Sequence, residues 1–134
     1  MTLATTTEIY PSISGLYPAL QIVTGDHHAA LMDALAKPSP VDCVSDALEA
    51  LYAAVKDDAT LTGASLTTVA TACNQMAYLL TYYQWHGKAQ RGADISAAMN
   101  AVVGGTPVAT ACASVEVDPR FAPAPAGADA TSAA

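Results

Sequence analysis

The chain has 134 residues, enough for one domain whose core needs neither a metal nor a disulfide. Hydrophobic residues make up 52% and charged residues only 13%, about half the usual charged share, and the formal net charge is −7. The five basic residues, Lys37, Lys56, Lys88, Arg91 and Arg120, are scattered rather than clustered. This argues against nucleic acid and against an anionic membrane surface as partners, since both need converging cations.

The opening MTLATTTEIYPS lacks the basic and apolar regions of a secretory leader. The longest stretch without Asp, Glu, Lys or Arg runs over residues 59–87. It carries Asn74, Gln75, Gln84, His86 and several threonines, so it reads as a core helix rather than a membrane span. The expected location is the cytoplasm or an assembled particle.

In chain order, residues 1–25 read as an extended N-terminal arm. Tyr10 and Tyr17 both precede prolines, which favours extended backbone there. Residues 18–23 could form a short turn or a strand. The helical core follows over residues 26–104. Its first helix is expected from Asp26, as N-cap, to Ala36, stopped by Lys37-Pro38. The second has the clearest start: Ser39 as N-cap, Pro40 at the first helical position and Asp42 in the first turn. There Val41, Val44, Leu48, Leu51 and Val55 make one stripe at helical spacing.

The third helix is expected over Leu66–His86, with Ser65 as N-cap and Gly87 just past its end. Leu66, Val69, Cys73, Met76, Leu80 and Tyr83 follow the alternating spacing of a coiled-coil seam. A short fourth helix is expected from Asp94 to Val103, ended by Gly104-Gly105. Within residues 105–121, positions 108–117 then roughly alternate polar and apolar side chains, which predicts an extended segment over 105–121. A short strand pair with the Ile9–Ile13 region would complete it. Residues 122–134 form an Ala/Pro-rich tail without a bulky side chain. The fold class is thus mainly α: a small bundle of about four helices between an extended arm and an extended C-terminal segment.

Chemistry-bearing residues are few. Cys43, Cys73 and Cys112 are odd in number and widely spaced, so neither structural zinc nor c-type haem attachment fits. They read as small buried thiols, with one disulfide plus a free thiol as the alternative. His27 and His28 are the weak metal candidates, but adjacent helical residues point about 100° apart and neither has a second ligand one turn away. Tyr78, Tyr82 and His86 lie one turn apart on the expected third helix and are the weak candidates for a haem-like or flat aromatic ligand. They serve equally as an aromatic wall with polar tips. Asp42, Asp46 and Glu49 fall opposite the apolar stripe and are expected to be solvated. No GxSxG, GxxxxGK[ST] or GxGxxG occurs.

No catalytic residues, metal or cofactor follow from this pattern, and the reading leans away from an enzyme. The charge-poor composition and the arms at both ends point to a structural or interaction protein. It would act by self-assembly as a homo-oligomer or part of a larger assembly, with a small virion or phage-particle component as the concrete form. The alternative is a small helical module for a haem-like or aromatic ligand.

Overall fold

The computed structural model describes residues 16–121. The expected pairing of Ile9–Ile13 and the Ala/Pro-rich tail lie outside the described residues. Among the described residues six helices follow one another: α1 Leu16–Leu20, α2 Gly25–Leu35, α3 Pro40–Asp57, α4 Gly63–Tyr82, α5 His86–Val103 and α6 Val108–Ala111. No strand occurs among the described residues.

Helix α3 is the axis of the bundle. All thirteen residues from Cys43 to Val55 are buried. Its Val44, Leu48 and Leu51 stripe faces the core, and its small row of Cys43, Ala47, Ala50 and Ala54 is covered as well. A helix buried on every side must be surrounded. Here α2, α4 and α5 pack around it, and the chain beyond α6 closes the remaining side.

Helix α4 buries Val69, Cys73, Met76 and Leu80 of the predicted seam against α3 and α5, whereas Leu66 and Tyr83, the latter at the C-cap, are half-buried. The close approach of α5 depends on Gly92. A Cβ there would stand 3.1 Å from Leu80 Cδ1 and 3.2 Å from the Ala77 carbonyl oxygen.

Four sequence expectations are corrected. The N-terminal arm is not extended throughout, because Leu16–Leu20 forms a helix that buries Leu16 and Ala19. Tyr17 lies inside it despite preceding Pro18. A proline in a first turn forfeits no intrahelical hydrogen bond, and apolar burial outweighs the local preference. The helix expected over Leu66–His86 starts earlier and ends at Tyr82. Trp85 N–H donates to the Leu80 carbonyl and Gln84 N–H to the Thr81 carbonyl, both at 2.9 Å, with Gln84 left-handed at φ 57°. That is a helix-terminating Schellman pair placed on a glutamine, not on Gly87. The short fourth helix is consequently long, running from His86.

The fourth correction concerns residues 105–121. Val108–Ala111 is helical and the rest is an irregular strap, not a strand. Its carbonyls are satisfied by side chains rather than by a neighbouring strand. Tyr52 Oη and Lys56 Nζ donate to the Val115 carbonyl, and Arg91 Nη2 donates to that of Glu116. Val115, Val117 and Phe121 pack against the core beneath.

Candidate interaction surface

The strap explains a correction at the predicted solvated carboxylates. Asp42 is exposed, but Asp46 and Glu49 are only 7% and 4% exposed. Arg91 grips Glu49 with two parallel bonds, Nε to Oε2 at 2.8 Å and Nη2 to Oε1 at 2.9 Å. The same guanidinium lies 5.8 Å from the Tyr52 ring centroid. Asp46 meets Lys37 Nζ at 3.3 Å and Arg120 Nη2 at 3.4 Å. Helical spacing could not disclose this cover, because it is supplied by residues far along the chain. The bond from Glu49 holds Arg91 protonated above its ordinary range. Burial pushes the Tyr52 phenol far up, so it stays a donor to the strap.

Asp118 closes the strap onto Arg120, with Oδ2 3.1 Å from Nη2. Partial burial pushes its carboxyl up, but the hydrogen bonds and charge of Arg120 outweigh this and hold it below the ordinary 3.8. A carboxyl with a depressed folded pKa contributes stability that is full above its unfolded pKa and lost as pH falls through the folded one. Stability should therefore decline below about pH 4. Urea midpoints taken at descending pH check this. Asp118→Asn should flatten part of the decline, and an unaltered slope would show that Asp118 does not contribute.

Four of the five cations, Lys37, Lys56, Arg91 and Arg120, are thus spent on this one side of the molecule. Two open clefts beside the strap, of about 430 and 380 Å³, share Arg91 and Glu116 in their walls. In them Arg91 Nε and Nη2 are engaged by Glu49 and by the Glu116 carbonyl, so a ligand that needed these donors would have to displace an internal ion pair.

The outward face of α4 is different. Helix α4 carries no charged residue in twenty positions, yet part of it faces outward. Tyr78 and Tyr82 are 61% and 62% exposed, and Thr67, Thr71 and Thr81 are exposed with them. The tyrosines open a ladder of four rings. Tyr78 to Tyr82 spans 5.8 Å, Tyr82 to Tyr83 5.0 Å edge-on, and Tyr83 stacks on Trp85 at 5.0 Å. Beside the ladder runs a groove of about 390 Å³ between α4 and α5. Asn74, Tyr78, Thr81 and Asn100 line it, and none of its lining residues is charged. The polar atoms on its floor are paired with one another: Asn74 Nδ2 donates to Asn100 Oδ1 at 2.6 Å, and Ser96 Oγ donates to Asn74 Oδ1.

The predicted ligand residues do not share one helix. Tyr78 and Tyr82 end α4, whereas His86 begins α5 beyond the left-handed Gln84. The one-turn relation between Tyr82 and His86, on which the haem-like reading stood, is therefore absent. His27 and His28 lie in the first turns of α2, and His28 Nδ1 is 3.1 Å from the Val23 carbonyl oxygen. Among the described residues, no three of His, Cys, Asp and Glu converge as a metal set. All three cysteines are free and buried, and burial raises each thiol pKa. No described helix is long and apolar enough to cross a membrane.

The outer stripe of α4 was missed in the sequence, although residues 59–87 announced it by their lack of charge. No protein-family model, curated protein or solved structure matches this chain.

Proposed function

We propose that this chain is a structural protein that works by self-assembly, as a small subunit of a larger protein particle such as a virion or phage particle. The observation that supports the reading is the outward face of α4, a twenty-residue helix with no charged side chain and with two tyrosines more than half exposed. A helix at the surface of a freestanding domain normally presents charged residues on its outer side. Tyrosine is enriched and charge depleted at the centres of protein interfaces, because a flat amphipathic ring loses little entropy and little hydration on being covered. The remaining charge lies elsewhere: Lys56, Arg91 and Arg120 hold the strap to α3, Lys37 pairs with Asp46, and exposed Asp26, Asp33, Asp42, Asp57 and Asp94 make the surface outside this face acidic. Acidic flanks keep assemblies apart except where the uncharged face permits contact.

Light scattering across a dilution series tests the reading. The expected mass is a multiple of the 13.6 kDa chain that falls on dilution. A single-chain mass at the highest attainable concentration would overturn it.

A further inference from the structure

We infer that α4 pairs with α4 of a second copy, antiparallel about a two-fold axis that passes between Asn74 and Gln75. This rests on the self-assembly reading and names the contact that begins it.

Three observations converge on this pairing. The first is a second stripe on α4. At about 100° per residue, Ala64, Thr67, Thr71, Tyr78 and Tyr82 fall within about 60° of arc. All five are exposed. The inner seam of Val69, Cys73, Met76 and Leu80 is already used inside the bundle. The outer stripe has nearly the same alternating spacing, flanked by half-buried Asn74 and Gln75. A helix with two such seams is shaped to lie between two layers.

The second observation is size. The N-terminal half of the stripe is small, with Ala64, Thr67 and Thr71, and the C-terminal half is large, with Tyr78 and Tyr82. Parallel pairing in register would set tyrosine against tyrosine and leave a gap between threonines. Antiparallel pairing sets Tyr78 against Thr71 and Tyr82 against Thr67. Both pairs share one midpoint, between Asn74 and Gln75, so a single two-fold axis satisfies both. That is the geometry of an isologous contact, in which one patch meets itself.

The third observation is charge. Two copies of a −7 chain repel each other, and contact is cheapest where neither brings a carboxylate. The stripe has none, and the neighbouring exposed residues of α5, Ala93, Ala97 and Asn100, extend the uncharged area. A basic partner would be drawn to the acidic faces instead, which is why a second copy fits this surface best.

The test combines mass and cross-linking. The wild-type chain is expected at twice its mass, and Tyr78→Glu at the single-chain mass with an unchanged circular dichroism spectrum, since Tyr78 is 61% exposed. The native thiols are all buried, so a cysteine introduced at half-buried position 75 or exposed position 67 reacts selectively. Under mild oxidation Gln75→Cys should form a disulfide-linked dimer, because the axis brings its two copies together. Thr67→Cys should not, because its copies sit about 22 Å apart along the helix axis, beyond the reach of a disulfide. Cross-linking of Thr67→Cys would overturn the antiparallel register. An oligomer unaffected by Tyr78→Glu would overturn the α4 contact and leave self-assembly standing through another face. A wild-type monomer would overturn both, and the stripe would then belong to a partner of different sequence.

Discussion

Replacing Arg91 with methionine is expected to destabilise the fold by about 3 kcal/mol, because removing one partner of a buried pair strands the other. Glu49 would stay 4% exposed with both oxygens deprived of the fork that now holds them at 2.8 and 2.9 Å. The loss sits at the lower end of the range for broken buried pairs because the Arg91 side chain is itself 31% exposed. The substitution also frees the Glu116 carbonyl, which Arg91 Nη2 holds at 2.7 Å. Two consequences separate this account from simple loss of packing. The strap should open to amide exchange around residues 114–118 before the helices do. The double variant Glu49→Gln, Arg91→Met should recover part of the lost stability, since no buried charge remains unpaired. Equilibrium urea unfolding measures both. A cost under about 1 kcal/mol, typical of exposed ion pairs, would show that the Arg91–Glu49 pair behaves as a surface contact.

Leu80→Ala is expected to cost about 3 kcal/mol by leaving a cavity where α4 and α5 cross closely. Leu80 is fully buried, and its Cδ1 lies against Gly92, where the missing side chain lets α5 approach α4. The crossing cannot easily collapse into the space. Gly92 has no side chain to move inward, and the Ala77 carbonyl already blocks a closer approach. The loss should therefore appear in thermal and urea unfolding alike. The mass in solution at low temperature should not change, because Leu80 is on the inner seam and the exposed stripe is on the other side of α4. A cost near 1 kcal/mol would mean that α5 can slide to fill the gap.

Much of the fold could be read from spacing. Pro40 following Ser39 opened α3 where expected, and the 3-and-4 rhythm of Val44, Leu48 and Leu51 placed them inward. The Val69–Leu80 seam likewise marked the inner face of α4. The ends of elements were harder. A left-handed Gln84 ended α4 and turned His86 into the start of a new helix, because the Schellman hydrogen bonds satisfied the last carbonyls without a glycine. His86 consequently no longer shares a helix with Tyr78 and Tyr82. The alternation of residues 108–117 suggested a strand because side chains alternate in any extended chain. Whether such a segment becomes a strand depends on where its backbone bonds go, and here Tyr52, Lys56 and Arg91 take them.

By itself the sequence determined that this protein is helical, that α3 and α4 build its core, and that residues 59–87 carry no charge. Periodicity and composition are local properties and need no partner to be seen. The tertiary structure alone decided which uncharged positions stay outside and which carboxylates go inside. Glu49 and Asp46 occupy a polar row like any solvated helix face, and they are buried only because Arg91 and the strap from residues 112–121 reach them from elsewhere in the chain. Tyr78 and Tyr82 lie in a run that is apolar nearly all round and are exposed because α3 and α5 cover the other side of α4. Burial is a property of what lies opposite, and what lies opposite is fixed only when the helices pack.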